Sequence, residues 1–144
     1  MLLGTGPRGG EGLVFDDLSV DELDDEVGLL MNPFFTQSEP SQAAGRAYIE
    51  RLKRRVVDRD APVSKPTAIA QLAAIREWGV IPQKDRFAMV VHGNKDVVVL
   101  LINAFLLAEH LPNAQLIMYP DASHGSHSQH VEVFLEHAKL FLNS

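Results

Sequence analysis

Two polar loops in the second half of the chain carry the residue types that acid–base chemistry requires. Asp96 follows the segment His92-Gly-Asn-Lys, and His124 lies in the segment Asp121-Ala-Ser-His-Gly. A carboxylate that accepts a hydrogen bond from an imidazole orients the ring and stabilises its protonated form, so such a pair can serve nucleophilic catalysis. Asp and His are also common in loops that have no chemical task, and spacing alone leaves that alternative open.

Short apolar runs precede both loops and predict the elements that position them. The run Phe87–Val91 is typical of a strand buried on both faces, and Gln115–Tyr119 predicts a second strand. The segment Val97–His110 between them predicts a helix. The right-handed crossover rule makes the two strands parallel neighbours, and loops at the carboxyl ends of parallel strands converge. We therefore expect Asp96 and His124 to meet.

The remaining elements are predicted from helical spacing and from turn residues. A third strand is expected near Leu2, where the chain runs into a segment rich in Gly and Pro. Short helices separated by Pro-containing loops are expected up to residue 80, one of them opened by Ser38. The apolar face of that helix is predicted at Ala44, Tyr48, Leu52 and Val56. The inward face of a final helix, Val131–Leu142, is predicted at Val131, Phe134, Leu135, Ala138, Phe141 and Leu142.

The segments around the Asp–His pair resemble those of the α/β-hydrolase superfamily. His92-Gly-Asn-Lys-Asp96-Val-Val-Val is similar to the loop that carries the acid of the catalytic triad, and residues 111–125 are similar to the last strand and the histidine loop. The resemblance is close over residues 86–144, and it implies that Asp96 is the acid and His124 the general base. Leu100 departs from the family at a position where many members carry proline, which concerns the shape of the loop.

The resemblance also implies an architecture. We expect an α/β protein with a partial α/β-hydrolase fold, in which a few-stranded parallel sheet is flanked by helices and covered by a helical cap. Residues 1–12 would be a residual strand and loop before the cap, residues 13–80 a helical cap-like region, and residues 81–144 the C-terminal strand-helix-strand-helix unit.

A small-molecule substrate would lie between the cap and the sheet. Phe34, Phe35 and Trp78 are candidates for lining that pocket, although core packing is the more frequent role of such side chains.

The nucleophile of the family is missing from this sequence. The motif G-x-S-x-G carries it on a strand-to-helix turn, and no serine of the chain has glycines at that spacing. Ser123 comes nearest, with Gly125 after it and Asp121 before it, and there is no cysteine. We therefore expect the C-terminal portion of a hydrolase of ester or related bonds, inactive without an upstream segment that supplies the nucleophile and the oxyanion hole. The alternative is a non-catalytic oligomerising or interaction module derived from a hydrolase.

The other histidines and the glycines give little indication of a metal or a cofactor. His124, His127 and His130 recur every three residues, and clusters of imidazoles can bind zinc or copper, but in an extended or irregular loop they need not converge. His92 and His110 are expected to be structural or exposed. No glycine-rich phosphate-binding motif is present, so we expect neither metal nor cofactor.

The composition of the chain limits the kinds of partner that it is expected to bind. The chain has 144 residues and a net charge of −6, which argues against binding a nucleic-acid backbone. Its longest apolar run is shorter than the roughly 20 residues of a membrane-spanning helix, and the absence of cysteine favours a cytoplasmic location. A sheet without its first strands exposes an unpaired edge and an apolar face, so a homo-oligomer is expected.

Overall fold

A parallel sheet of three strands organises the chain in the computed structural model. The structure describes residues 1–7, 10, 26–61, 63–76 and 87–144. The strands lie side by side in chain order and are β1 (Leu2–Leu3), β2 (Phe87–Gly93) and β3 (Asn113–Tyr119). The predicted parallel pairing of the second and third strands is confirmed, because all seven residues of β2 are in register with β3.

Helices precede and flank this sheet. They are α1 (Glu26–Phe34), α2 (Glu39–Lys53), α3 (Lys65–Arg76), α4 (Ile102–His110), α5 (Ser126–Gln129) and α6 (Val131–Leu142). No helix within the described part of the chain combines the length and the apolar character needed to cross a lipid bilayer.

β2 is buried on both of its faces, as its unbroken apolar sequence predicts. Met89 and Val91 point to one side, where they form the core with Tyr119, Ala122 and Ala138. Val90 and His92 alternate with them and therefore point to the other side, where His92 contacts Val99. Layers on both faces of a parallel strand explain why the run Met89–Gly93 is buried throughout.

The helix between β2 and β3 begins later than its sequence predicts. The apolar run starts at Val97, but α4 begins at Ile102. The side chain of Asp96 accepts hydrogen bonds from the backbone N–H groups of Val98, at 2.8 Å, and Val99, at 3.0 Å. Local side-chain-to-backbone bonds of this kind compete with helix formation. Residues 97–101 therefore form a loop around the Asp96 carboxylate and not the first turn of the helix.

Two predicted helix faces need correction. In α2 the buried residues are Ser41, Gly45 and Ile49, one position along from the predicted stripe. Leu52 is exposed, and Val56 lies beyond the end of the helix. The polar network around Ser41, described below, draws that side of the helix inward. In α6, Phe134, Ala138 and Phe141 pack against the core, whereas Val131, Leu135 and Leu142 are exposed.

Candidate active site

The loops after β2 and β3 approach each other closely at Gly93. A Cβ atom on Gly93 would lie 2.3 Å from the carbonyl oxygen of Ala122 and 2.4 Å from that of Ser123, so only glycine fits. Two backbone hydrogen bonds hold the loops together. The N–H of Asn94 donates to the carbonyl oxygen of Tyr119 at 3.0 Å, and the N–H of Lys95 donates to that of Ala122 at 2.9 Å. These bonds fix the Asp96 loop against the His124 loop.

The structure brings Asp96 and His124 together. Oδ2 of Asp96 lies 3.0 Å from Nδ1 of His124, with the carboxylate fully buried and the imidazole 22% exposed. Because an ionised carboxylate can only accept, Nδ1 is the donor, and the neutral ring keeps its lone pair on Nε2. No hydrogen bond to Nε2 is made by the residues that the structure describes. This is the arrangement of an acid that orients a general base.

His92, for which the sequence predicts a structural or an exposed position, is buried beside the Asp–His pair. Its side chain is fully buried, and Nε2 lies 2.7 Å from the carbonyl oxygen of Val99 and 3.4 Å from Oδ2 of Asp96. Its Nδ1 atom is buried and has no hydrogen-bond partner within the described ranges. Such an atom costs about 1–3 kcal/mol of stability. The sequence did contain a signal for a contact between His92 and Asp96, because His92 lies near the end of a buried strand and four residues before the acid.

The end of α1 is bonded directly to the histidine loop. The carbonyl oxygen of Pro33 accepts from the Ser123 hydroxyl at 2.7 Å and from the backbone N–H of His124 at 3.3 Å. The carbonyl oxygen of Phe34 accepts from Gly125 at 2.8 Å. The rings of Phe34 and His124 meet edge to face, with centroids 5.2 Å apart. Phe34 thus forms one wall beside the imidazole.

The other two aromatic candidates are placed differently. Phe35 is only 1% exposed and packs against Tyr48 of α2, with ring centroids 5.8 Å apart. Trp78 lies outside the described residues. A role in a substrate pocket stays a prediction for Phe34, Phe35 and Trp78.

The end of β1 also reaches the imidazole. Gly4 has a φ of +51°, and a Cβ atom there would lie 3.0 Å from Cε1 and Nδ1 of His124. Its backbone N–H continues the pairing of β1 with β2 through a 3.0 Å bond to the oxygen of Val91. The carboxyl ends of all three strands therefore converge on one point, as expected for a site at the edge of a parallel sheet.

A second polar cluster supports the histidine loop from the side of α2. Asp121 accepts from Lys95 at 2.9 Å and from the hydroxyl of Thr36 at 3.1 Å, and it also bonds the hydroxyl of Ser38, which caps α2. These contacts, the bond to Lys95 first, lower the pKa of Asp121 from 3.8 to about 2. Gln129 belongs to the same cluster, because its side-chain amide donates to the carbonyl oxygen of Asp121 at 2.8 Å and its Oε1 atom accepts from the buried hydroxyl of Ser41 at 2.8 Å.

The three evenly spaced histidines turn to different partners. His127 meets the ring of Phe134, with centroids 5.7 Å apart, and burial is the main cause that lowers its pKa, followed by the electrostatic interaction with His124. His130 stacks on Tyr119 at 5.0 Å. Among the described residues no group of three His, Asp or Glu side chains is placed to hold a metal ion.

Solved structures with similar folds include an α/β-hydrolase fold protein from Chitinophaga pinensis. Over 99% of this chain the sequences are 35% identical, and the TM-score is 0.87. A thermophilic esterase matches with a TM-score of 0.56 at 20% identity over 98% of this chain. The 2-hydroxy-6-oxo-6-phenylhexa-2,4-dienoate hydrolase of Rhodococcus sp. strain RHA1 matches with a TM-score of 0.53 at 15% identity over 99% of it.

The same matches cover 55%, 54% and 51% of those three proteins, so this chain spans about half of their length. No protein-family model matches the sequence, and no curated protein does.

Fold and site together define an α/β protein with an Asp–His pair at the carboxyl edge of a parallel sheet. The chain has a partial α/β-hydrolase fold, and its predicted resemblance to that superfamily is confirmed. The likeness to the esterase and to the Rhodococcus hydrolase is a likeness of fold.

Proposed function

We propose that this chain carries the acid and the general base of a hydrolase active site whose nucleophile lies outside these 144 residues. The observation that supports this most directly is the 3.0 Å contact between Oδ2 of Asp96 and Nδ1 of His124. It directs the proton-accepting Nε2 atom away from the carboxylate, where a nucleophile can use it. Coverage of only 55% of the Chitinophaga pinensis protein is in keeping with a nucleophile supplied by another segment.

The proposed reaction is hydrolysis of an ester or a related bond in a small molecule. Nε2 of His124 accepts the proton of the nucleophile as that group attacks the substrate carbonyl, and the resulting imidazolium is stabilised by Asp96 through Nδ1–H. The same proton then passes to the leaving group, which leaves an acyl intermediate on the nucleophile. His124 next takes a proton from the water that attacks this intermediate, and returns it to the nucleophile.

A chimera tests these roles. In it, this chain replaces the matched 55% of the Chitinophaga pinensis protein, and hydrolysis of p-nitrophenyl acetate is measured. We expect turnover that Asp96→Asn reduces by about 10⁴-fold and His124→Ala by about 10⁶-fold, since loss of the base is more damaging than loss of the acid that orients it. His110→Ala is the matched control, because this histidine is exposed at the end of α4. A folded chimera whose turnover survives His124→Ala would contradict the proposal.

The isolated chain provides a second test. Purified chain should hydrolyse p-nitrophenyl esters no faster than its His124→Ala variant, because the group that forms the acyl intermediate is absent. Clear turnover that depends on His124 would show that the nucleophile lies within the chain, and the proposal would be wrong on that point.

The second candidate is an oligomerising module, favoured by the exposed apolar side chains near α4. Val97, Ile102 and Phe105 are 56%, 39% and 46% exposed. Association of two copies would remove such a surface from water. Light scattering at micromolar concentration distinguishes the candidates: a dimer is expected for the module, and a strictly monomeric mass argues against it.

A further inference from the structure

We propose that His92 is a positioning residue, which fixes the Asp96 carboxylate for its bond to His124. This inference rests on the proposed function, in which Asp96 is the acid. It assigns a task to a buried imidazole that the reaction itself does not use, because His92 has no contact with the reacting atoms and works through Asp96.

Two hydrogen bonds and one close contact connect His92 with Asp96, and they carry the inference. Oδ1 of Asp96 accepts from the backbone N–H of Val99 at 3.0 Å, and the carbonyl oxygen of Val99 lies 2.7 Å from Nε2 of His92. Because a carbonyl can only accept, Nε2 of His92 is the donor. Nε2 of His92 also lies 3.4 Å from Oδ2 of Asp96. His92 thus contacts both the carboxylate of Asp96 and Val99, the loop residue whose N–H binds that carboxylate.

The Oδ2 atom of Asp96 consequently lies between two imidazoles. Nδ1 of His124 approaches it at 3.0 Å, and Nε2 of His92 approaches it at 3.4 Å. The His92 contact restricts rotation of the carboxylate at Oδ2, and the hydrogen bonds from the two backbone N–H groups restrict it at Oδ1. The carboxylate is therefore held with Oδ2 facing Nδ1 of His124.

Burial of His92 argues that it has more than a packing role. Its side chain is fully buried on the central strand, and its Nδ1 atom has no partner in the described parts of the chain. A buried polar group without a partner is unfavourable, and an apolar side chain would fill the same space without that cost. The donor on Nε2 is the property that an apolar residue lacks.

NMR on the complete chain tests the proposal through the Nδ1–H proton of His124, whose signal reports the bond to Asp96. We expect the signal in the unaltered chain and in His92→Gln, whose amide N–H can reach the oxygen of Val99. We expect its loss in His92→Asn, which is too short, and in His92→Phe, which has no donor. His110→Gln is the control for an exposed histidine and should keep the signal.

The Gln and Asn variants keep the test decisive if the Phe variant does not fold. Both carry an amide at the same buried position and differ in reach, so loss of the signal in Asn alone supports positioning. Equal signals in the Gln and Asn variants, or an unchanged signal in folded His92→Phe, would overturn the proposal. In the active chimera, His92→Asn should lower kcat while leaving KM nearly unchanged.

The two proposals can fail separately. Loss of the His124 signal in His92→Asn together with a folded chimera that hydrolyses no ester leaves the positioning role intact and contradicts the function. Ester hydrolysis that depends on His124 but is indifferent to His92→Asn contradicts the positioning role alone.

Discussion

The hydroxyl of Ser123 donates a 2.7 Å hydrogen bond to the carbonyl oxygen of Pro33, ninety residues away in the sequence. The same oxygen accepts the backbone N–H of His124 at 3.3 Å. The last turn of α1 is therefore bonded both to His124, the proposed general base, and to the residue that precedes it. Any displacement of α1 at this end would move the histidine as well.

Loss of the Ser123 hydroxyl should weaken this connection. Ser123→Ala removes the bond to Pro33 and a longer one, at 3.4 Å, that the hydroxyl accepts from the backbone N–H of Val97. It is expected to lower the free energy of unfolding by about 1–2 kcal/mol, measured by urea denaturation. Ser128→Ala is the matched control, since Ser128 lies in the same segment and is less deeply buried. Equal effects of the two substitutions would contradict the importance of the Pro33–Ser123 bond.

A side chain at position 93 should disturb the approach of the two site loops. Gly93→Ala brings a Cβ to 2.3 Å from the oxygen of Ala122, so the backbone has to shift, and we expect a loss of about 1–3 kcal/mol or more in stability. Asn94→Ala is the control, because Asn94 is exposed and its backbone bond is unaffected. A Gly93→Ala protein as stable as the Asn94→Ala protein would show that the loops can separate without cost.

The sheet and the Asp–His contact were predictable from sequence because each depends on local patterns. The strands follow from apolar runs that end in turn residues, and parallel pairing makes the loops that contain Asp96 and His124 neighbours. The bond of His92 to Val99 was not predictable in this way, because it requires residues 97–101 to be a loop, whereas their apolar sequence predicts the start of a helix.

The helix faces were less predictable for a related reason. Apolar spacing assumes that a helix buries its hydrophobic side, but α2 buries Ser41, which bonds to Gln129 of α5. A polar residue satisfied by a distant partner has no signature in the sequence of its own helix. The exposed side of α6 likewise carries apolar residues such as Leu135 and Leu142, which the spacing places inward.

Asp121 should make stability depend on acidic pH. Its pKa is lowered from 3.8 to about 2 in the folded chain, so its charged form stabilises the fold at pH values above 3.8, and this contribution is lost as the pH falls towards about 2. Asp121→Asn should remove that part of the pH dependence. Urea denaturation of both proteins between these limits measures it, and their difference should shrink as the pH falls. A constant difference would contradict the assignment.

His127 should have an effect of the same sign nearer to neutrality. Burial lowers its pKa below 6.5, so the unfolded chain binds a proton more readily than the folded chain, and stability falls as the pH decreases through 6.5. His127→Gln is expected to flatten this part of the stability profile, measured by denaturation at closely spaced pH values. A variant with the same slope as the unaltered chain would assign the dependence to other groups.

Phe34 and Phe35 are neighbours in sequence but should respond differently to truncation. Phe35 is 1% exposed and packs on Tyr48, so Phe35→Ala is expected to cost about 3–5 kcal/mol of stability. Phe34 is partly exposed beside His124, so Phe34→Ala should cost less in urea denaturation. In the chimera it should raise KM for esters with large acyl groups more than for p-nitrophenyl acetate, because an apolar wall of the pocket is lost. Equal changes in KM for both esters would place Phe34 outside the pocket.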